Sequence, residues 1–151
     1  MMQENSFSES GDPYDLSRFI SAQEGVYDRA FAELTEGLKQ SHWMWFIFPQ
    51  IEGLGHSPTA RQYSIRSVEE ARQYLAHPVL GMRLKACAEA VLAVQGRSAS
   101  DIFGHPDDWK LQSSMTLFEL LSGPQSVFAQ VLEKYYQGKR DSRTLQIVAK
   151  P

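Results

Sequence analysis

The sequence predicts an all-α protein, mainly helical, an irregular compact globule of about eight short to medium helices with room for one short extended segment. Three observations carry this. Helix starts recur along the chain as Ser, Asp or Pro ahead of apolar runs, and the apolar residues between them repeat every three to four positions. Hairpin signals are nearly absent, with no Asn-Gly, no Asp-Gly and no alternating β-branched run. The expected helix content is roughly 55–70%, against about a third in an average globular protein.

Taken in order, residues 1–11 are polar and read as a disordered tail, leaving residues 12–151 as a single helical domain. Asp12-Pro13 reads as an N-cap with Pro at the first helical position, and Leu16, Phe19 and Ile20 give the first helix its apolar face. A second helix is expected over about Glu24–Gly37, with Tyr27, Phe31, Leu34 and Leu38 inward. Lys39–Gly55 is too apolar to alternate and too aromatic for an ordinary loop. It reads as a buried helix stopped by Pro49 and running into an irregular loop, with no partner strand elsewhere.

Ser57-Pro58 starts a short helix to about Ile65, and Ser67-Val68-Glu69-Glu70 reads as a capping box opening a helix to Ala76. Pro78 begins what should be the longest helix, with Leu80, Leu84, Cys87, Ala88, Val91 and Leu92 on one face. One turn at Ser98–Gly104 follows. Pro106 then opens a helix facing inward through Leu111, Met115, Phe118 and Leu121, broken at Gly123-Pro124. Val127–Tyr136 is the next helix, ended by Gly138, and Asp141 caps a last one.

Composition narrows the class. A chain of 151 residues with 42% hydrophobic and 22% charged residues can bury a core without staples, and its single cysteine excludes an internal disulfide. The net charge of −3 comes from Glu4, Glu9 and Asp12, leaving the rest neutral and without a basic run. Nucleic acid is therefore not an expected partner. The N-terminus lacks the pattern of a signal peptide and the longest apolar run is far too short to span a bilayer. The expectation is a cytoplasmic protein with no membrane association and an oligomeric state the sequence does not reveal.

The chain resembles the DUF1810 family of bacterial and fungal proteins, some of which carry the misleading label calpastatin. The resemblance rests on Asp15-Leu16-Ser17-Arg18-Phe19, Ala22-Gln23, the run Ser41-His42-Trp43-Met44-Trp45-Phe46-Ile47-Phe48-Pro49-Gln50 and Gly53-Leu54-Gly55-His56-Ser57. It continues through Tyr74–Gly81, Lys110–Phe118 and Gly138–Asp141, and so spans about Pro13–Val148. It implies a mainly helical fold and no established activity, so it carries over no catalytic residues.

The residues that could carry chemistry are few. In Gly53-Leu54-Gly55-His56-Ser57-Pro58-Thr59, glycines let backbone approach a ligand and Ser57 starts a helix whose free N–H groups favour an anion, although a plain turn with an ordinary N-cap is the commoner reading. Trp43 and Trp45 could offer a flat wall to a nucleobase, against the commoner role of such aromatics as core. His42 and His56 flank the aromatic run and could act as acid or base. Lys110 and Ser113 are i,i+3 neighbours able to hold a phosphate together, in a stretch, Lys110-Leu111-Gln112-Ser113-Ser114-Met115, faintly similar to ADP-ribose-processing domains.

No histidine pair has metal-ligand spacing and Cys87 lies alone on an apolar face, so neither metal nor cofactor is expected. The leading reading is a binding protein or enzyme with a pocket for a small anionic, nucleotide-like or phosphorylated ligand. A sharper form is hydrolysis of an N-glycosidic bond by Asp107, Asp108 or Glu52. The alternative is a non-catalytic protein–protein interaction module docking through the Trp-rich segment.

Overall fold

The structure is a computed structural model in which residues 11–150 are described; most of the expected tail lies outside that range. The chain is 63% helical, in ten helices and without strands among the described residues. These are α1 Ser17–Gln23, α2 Tyr27–Glu36, α3 Met44–Ile47, α4 Pro58–Gln62, α5 Val68–Ala76, α6 Leu80–Ala93, α7 Ala99–Phe103, α8 Asp107–Ser122, α9 Val127–Tyr136 and α10 Ser142–Ala149.

Helix α8 is the axis of the fold, with α5, α7, α9 and α10 packed on it, while α6 joins α2, α5 and α9. At 16 residues α8, not the 14-residue α6, is the longest helix. The apolar pattern misleads here because α8 carries Ser113, Ser114, Thr116 and Glu119 in its buried part. Two of these pass for core residues by bonding their own helix: Ser113 Oγ donates to the Trp109 carbonyl and Thr116 Oγ to that of Gln112. A helix wrapped on all sides has no polar face to reveal its phase.

The N-terminal segment departs from expectation. Asp12 does accept hydrogen bonds, from the amides of Leu16 at 2.6 Å and Ser17 at 3.2 Å. Yet Asp15 takes the left-handed φ of 53°, and the helix begins only at Ser17. Arg18 then ties this segment to the body. Its guanidinium bonds the carbonyls of Tyr14, Asp15, Gln62 and Ser64 and pairs with Glu70 at 2.7 Å. Glu70 is therefore not the second half of a reciprocal capping box. Ser67 Oγ caps the Glu70 amide, but the Glu70 carboxylate turns to Arg18 and the Arg66 amide. A buried ion pair outranks a local box because an unpaired buried charge costs several kcal/mol.

In α2, Ala30 and Leu34 are buried, whereas Phe31 and Leu38 are 38% and 42% exposed. Of the expected stripe, Leu34 is buried and Tyr27 packs against the core, and Ala30 takes the inward place expected of Phe31.

Most of the aromatic segment is core, with Trp45 and Phe46 half-buried. Trp43, Met44, Ile47, Phe48 and Ile51 are all buried, and only one helical turn, α3, forms before Pro49. The following stretch does find a partner: Ile51 and Ile65 form a parallel bridge, with the Glu52 amide donating to the Ile65 carbonyl and the Ile65 amide to Gln50. A single-residue pairing leaves no alternation to read in advance.

Candidate ligand-binding site

A cleft of about 470 Å³ opens between the first turns of α8, the start of α10 and the loop after α3. Its walls include Lys110, Arg143, Trp109, Gln50, Gln112 and Ser113, with Leu54, Gly55 and Asp141 also bordering it. That size lies within the range of about 300–1,000 Å³ usual for small-molecule sites.

Local chemistry fixes each wall. The loop Gly138–Asp141 is held on α8, where the Asp141 amide donates to Thr116 Oγ and Gln112 Nε2 donates to the Lys139 carbonyl. Asp141 then caps α10 by accepting from the Thr144 amide and hydroxyl, at 2.9 and 2.6 Å. Arg143, next on α10, reaches the Gly53 carbonyl at 3.3 Å and so joins that helix to the glycine-containing loop.

Lys110 is not a spare lysine. Its ammonium lies 3.6 Å from Asp107 and 5.4 Å from the centre of the Trp45 ring. Asp107 is in turn 3.0 Å from Lys39. One carboxylate shared between two ammonium groups leaves a net positive charge, part-exposed at the cleft. Arg143 supplies a second cation on the same rim.

Of the residues singled out from the sequence, Gly55, Lys110 and Ser113 line this cleft. Trp45 stands behind it, bordering a narrow recess with Gln50 and Gly55 and bracing Lys110. Trp43 has no exposed face; its indole N–H donates to Glu33 at 2.8 Å, so it is a core residue and not a pocket wall. His42, His56 and Ser57 are exposed and lie outside the cleft walls. Ser57 caps α4, a helix of only five residues, through the Ala60 amide.

The two glycines have packing reasons of their own. A Cβ on Gly55 would meet Ala60 Cβ at 2.6 Å, and Gly53 holds a φ of 108° with Ile147 3.2 Å from where a Cβ would stand. Of the acids proposed to activate water, Asp107 is committed to two lysines, and Asp108 faces His105 and the Trp109 amide. Glu52 is exposed outside the walls. The carboxylate that does border the cleft is Asp141.

Sequence reasoning missed Trp109 and Arg143. Trp109 is 64% exposed and edge-to-face with His105, ring centres 4.2 Å apart. A signal was present: in a helix facing inward through Leu111, Met115 and Phe118, position 109 points the other way, among charged neighbours. Arg143 carried no such signal, since its approach to the loop depends on where α10 docks.

Glu33 explains how the aromatic segment is held. Burial works to raise its pKa, but hydrogen bonds from Ser41 Oγ, the Gln40 amide, Trp43 Nε1 and the Ser41 amide outweigh that and bring it down to about 2. Cys87 offers no nucleophile, because burial pushes its thiol up to about 12. Among the described residues no group of three or more His, Cys, Asp and Glu is placed to hold a metal ion, and no helix is long and apolar enough to cross a membrane.

Fold and cleft define a small helical protein with a cleft over its central helix, edged by Trp109, Lys110 and Arg143. The chain belongs to the DUF1810 family, described as "protein of unknown function", whose model matches residues 13–148. It is similar to the conserved hypothetical protein Rv1873 from Mycobacterium tuberculosis, known from a crystal structure. The two are 51% identical over 93% of this chain and 100% of that one, with a TM-score of 0.91. No curated protein matches. Family and neighbour thus establish the fold and leave the function unknown.

Proposed function

We propose that the protein binds a small phosphorylated ligand in the cleft above α8. The observation that carries this reading is the convergence of Lys110 and Arg143, from different helices, on one cleft that also presents polar amides and Ser113. Cations on a rim are ordinary. Two of them facing a recess of ligand size, one braced by an aromatic ring, are a binding arrangement. The residues support binding; whether a reaction follows rests on Asp141, which already caps a helix.

The competing reading, a docking module built on the Trp-rich segment, has less surface to stand on, since Trp43, Met44, Ile47 and Phe48 are buried and Trp45 and Phe46 are only half-exposed. The test is thermal unfolding of the full chain with pyrophosphate and with ribose 5-phosphate. Either should raise the melting temperature of the wild type, as a ligand bound only to the folded state must. Lys110→Ala and Arg143→Ala should each reduce that rise. A rise of the same size in the double variant overturns the assignment to this cleft, and no rise with either compound overturns the phosphorylated ligand.

A further inference from the structure

We infer that the ligand is a nucleotide, its planar base lying on Trp109 and its phosphate reaching Lys110 and Arg143. The inference rests on the anion reading above and adds the other end of the ligand. Among the described residues Trp109 is the large aromatic that the fold leaves most open, at 64% exposure, while Trp43 has none. A single exposed aromatic is commonplace. This one differs in being held, at the edge of the cleft that carries the cations.

The hold is a short chain of contacts. Asp108 lies 3.1 Å from the His105 ring nitrogen, and the His105 ring stands at 89° to the indole. Asp108 also accepts from the Trp109 amide at 2.9 Å. An aromatic whose orientation is set before the ligand arrives loses little entropy on stacking.

The cleft is also the wrong shape for phosphate alone. Its volume of about 470 Å³ far exceeds what a phosphoryl group fills. Two uncharged amides border the rest of it. The Gln112 nitrogen is taken by Lys139, leaving its carbonyl oxygen to accept. The Gln50 side chain makes no hydrogen bond among the described residues, so neither its donor nor its acceptor is committed to one of them. A glutamine amide presents the paired donor and acceptor that match an adenine edge. Flat ring, hydrogen-bonding edge and phosphate are then met by aromatic, amide and cation in one recess.

The experiment compares AMP with ribose 5-phosphate, which keeps sugar and phosphate but lacks the base. Affinities are read by calorimetry on the full chain, alongside tryptophan fluorescence. AMP should bind roughly ten- to a hundredfold more tightly than ribose 5-phosphate, the range expected for one stacked base. It should also shield the acrylamide-accessible part of the emission, which comes chiefly from Trp109. Trp109→Ala should bring AMP down towards ribose 5-phosphate, and Trp109→Phe should retain most of the difference. Equal affinities for the two compounds in the wild type, or an AMP affinity untouched by Trp109→Ala, overturn the nucleotide while leaving the anion reading intact if Lys110→Ala still weakens both. Failure of both compounds to bind overturns the nucleotide, and with no response to pyrophosphate either, the anion reading falls with it.

Discussion

The run Trp43–Phe48 and the first turn of α8 use tryptophan in opposite ways. In the first, aromatic and aliphatic residues are crowded together with no charge among them, and Trp43, Met44, Ile47 and Phe48 go into the core while Trp45 and Phe46 stay half-buried at its edge. In the second, one tryptophan stands among Asp107, Asp108 and Lys110 and remains in the open. The denser aromatic signal marks packing; the isolated one marks a surface with something to hold. Burial of a tryptophan is strongly favourable, so a run of them finds the core wherever it can. One that stays exposed beside charges is there because its neighbours could not be buried with it.

The comparison can be broken most directly by truncating each ring. Trp43→Ala should cost about 3–5 kcal/mol, the usual penalty for emptying a large buried site, read as a lower midpoint in urea unfolding. Trp109→Ala should move that midpoint by no more than about 0.5 kcal/mol. Similar costs for the two would mean that exposure does not separate their roles.

Glycine substitution probes the loop between the two regions. Gly55→Ala would drive a methyl group against Ala60, whose Cβ lies 2.6 Å from the required position. The expected loss is about 1–3 kcal/mol, again by denaturant unfolding. A neutral substitution would imply that α4 can slide away, and would return Gly55 to the role of a ligand-approach residue.

Acid titration sharpens the packing side of the comparison. The Glu33 pKa is depressed from 4.5 to about 2 in the folded protein, so the unfolded chain holds the proton more tightly. Its contribution to stability is therefore complete above the ordinary carboxylate range and is lost as pH falls from about 4.5 towards 2. Glu33→Gln should destabilise by about 1–3 kcal/mol near neutral pH, where it weakens bonds to part-buried donors. The difference between variant and wild type should shrink as pH drops through that window. A gap that stays constant with pH would show that the carboxylate charge is not what orders Ser41 and Trp43.

The smallest effect belongs to the cleft itself. Lys110→Ala should change stability by no more than about 0.5 kcal/mol, since part-exposed ion pairs contribute little. Its consequence should appear only with ligand present. A large loss without ligand would recast Lys110, with Lys39 and Asp107, as a structural triad.

Much of the fold was legible because helix boundaries are written locally. Ser67, Ser98, Ser126 and Asp141 each cap the helix that follows them through a side-chain oxygen, and Ser98 with Asp101 forms a reciprocal box. Those residues act on amides three positions away, so the chain carries the instruction without help from the rest of the molecule. The candidate site was legible only in part. Lys110, Ser113 and Gly55 stand out, but so do His42 and His56 for flanking the aromatic run and Ser57 as a helix start, and the fold leaves these three outside the cleft.

What the sequence determined by itself is the helical class and most of the caps and stops, because each follows from interactions within a few residues or from gross apolar content. The choice between core and pocket wall for Trp43 and Trp45 stayed open until the fold buried the first and left the second half-buried. Tertiary structure alone decided the rest. The bridge between Ile51 and Ile65, the reach of Arg18 to Glu70, and the bond from Arg143 to the Gly53 carbonyl join segments that are far apart along the chain. Nothing local in such residues records the partner. The contact exists only because packing around α8 brings those surfaces together, and the cleft is the space that packing leaves between them.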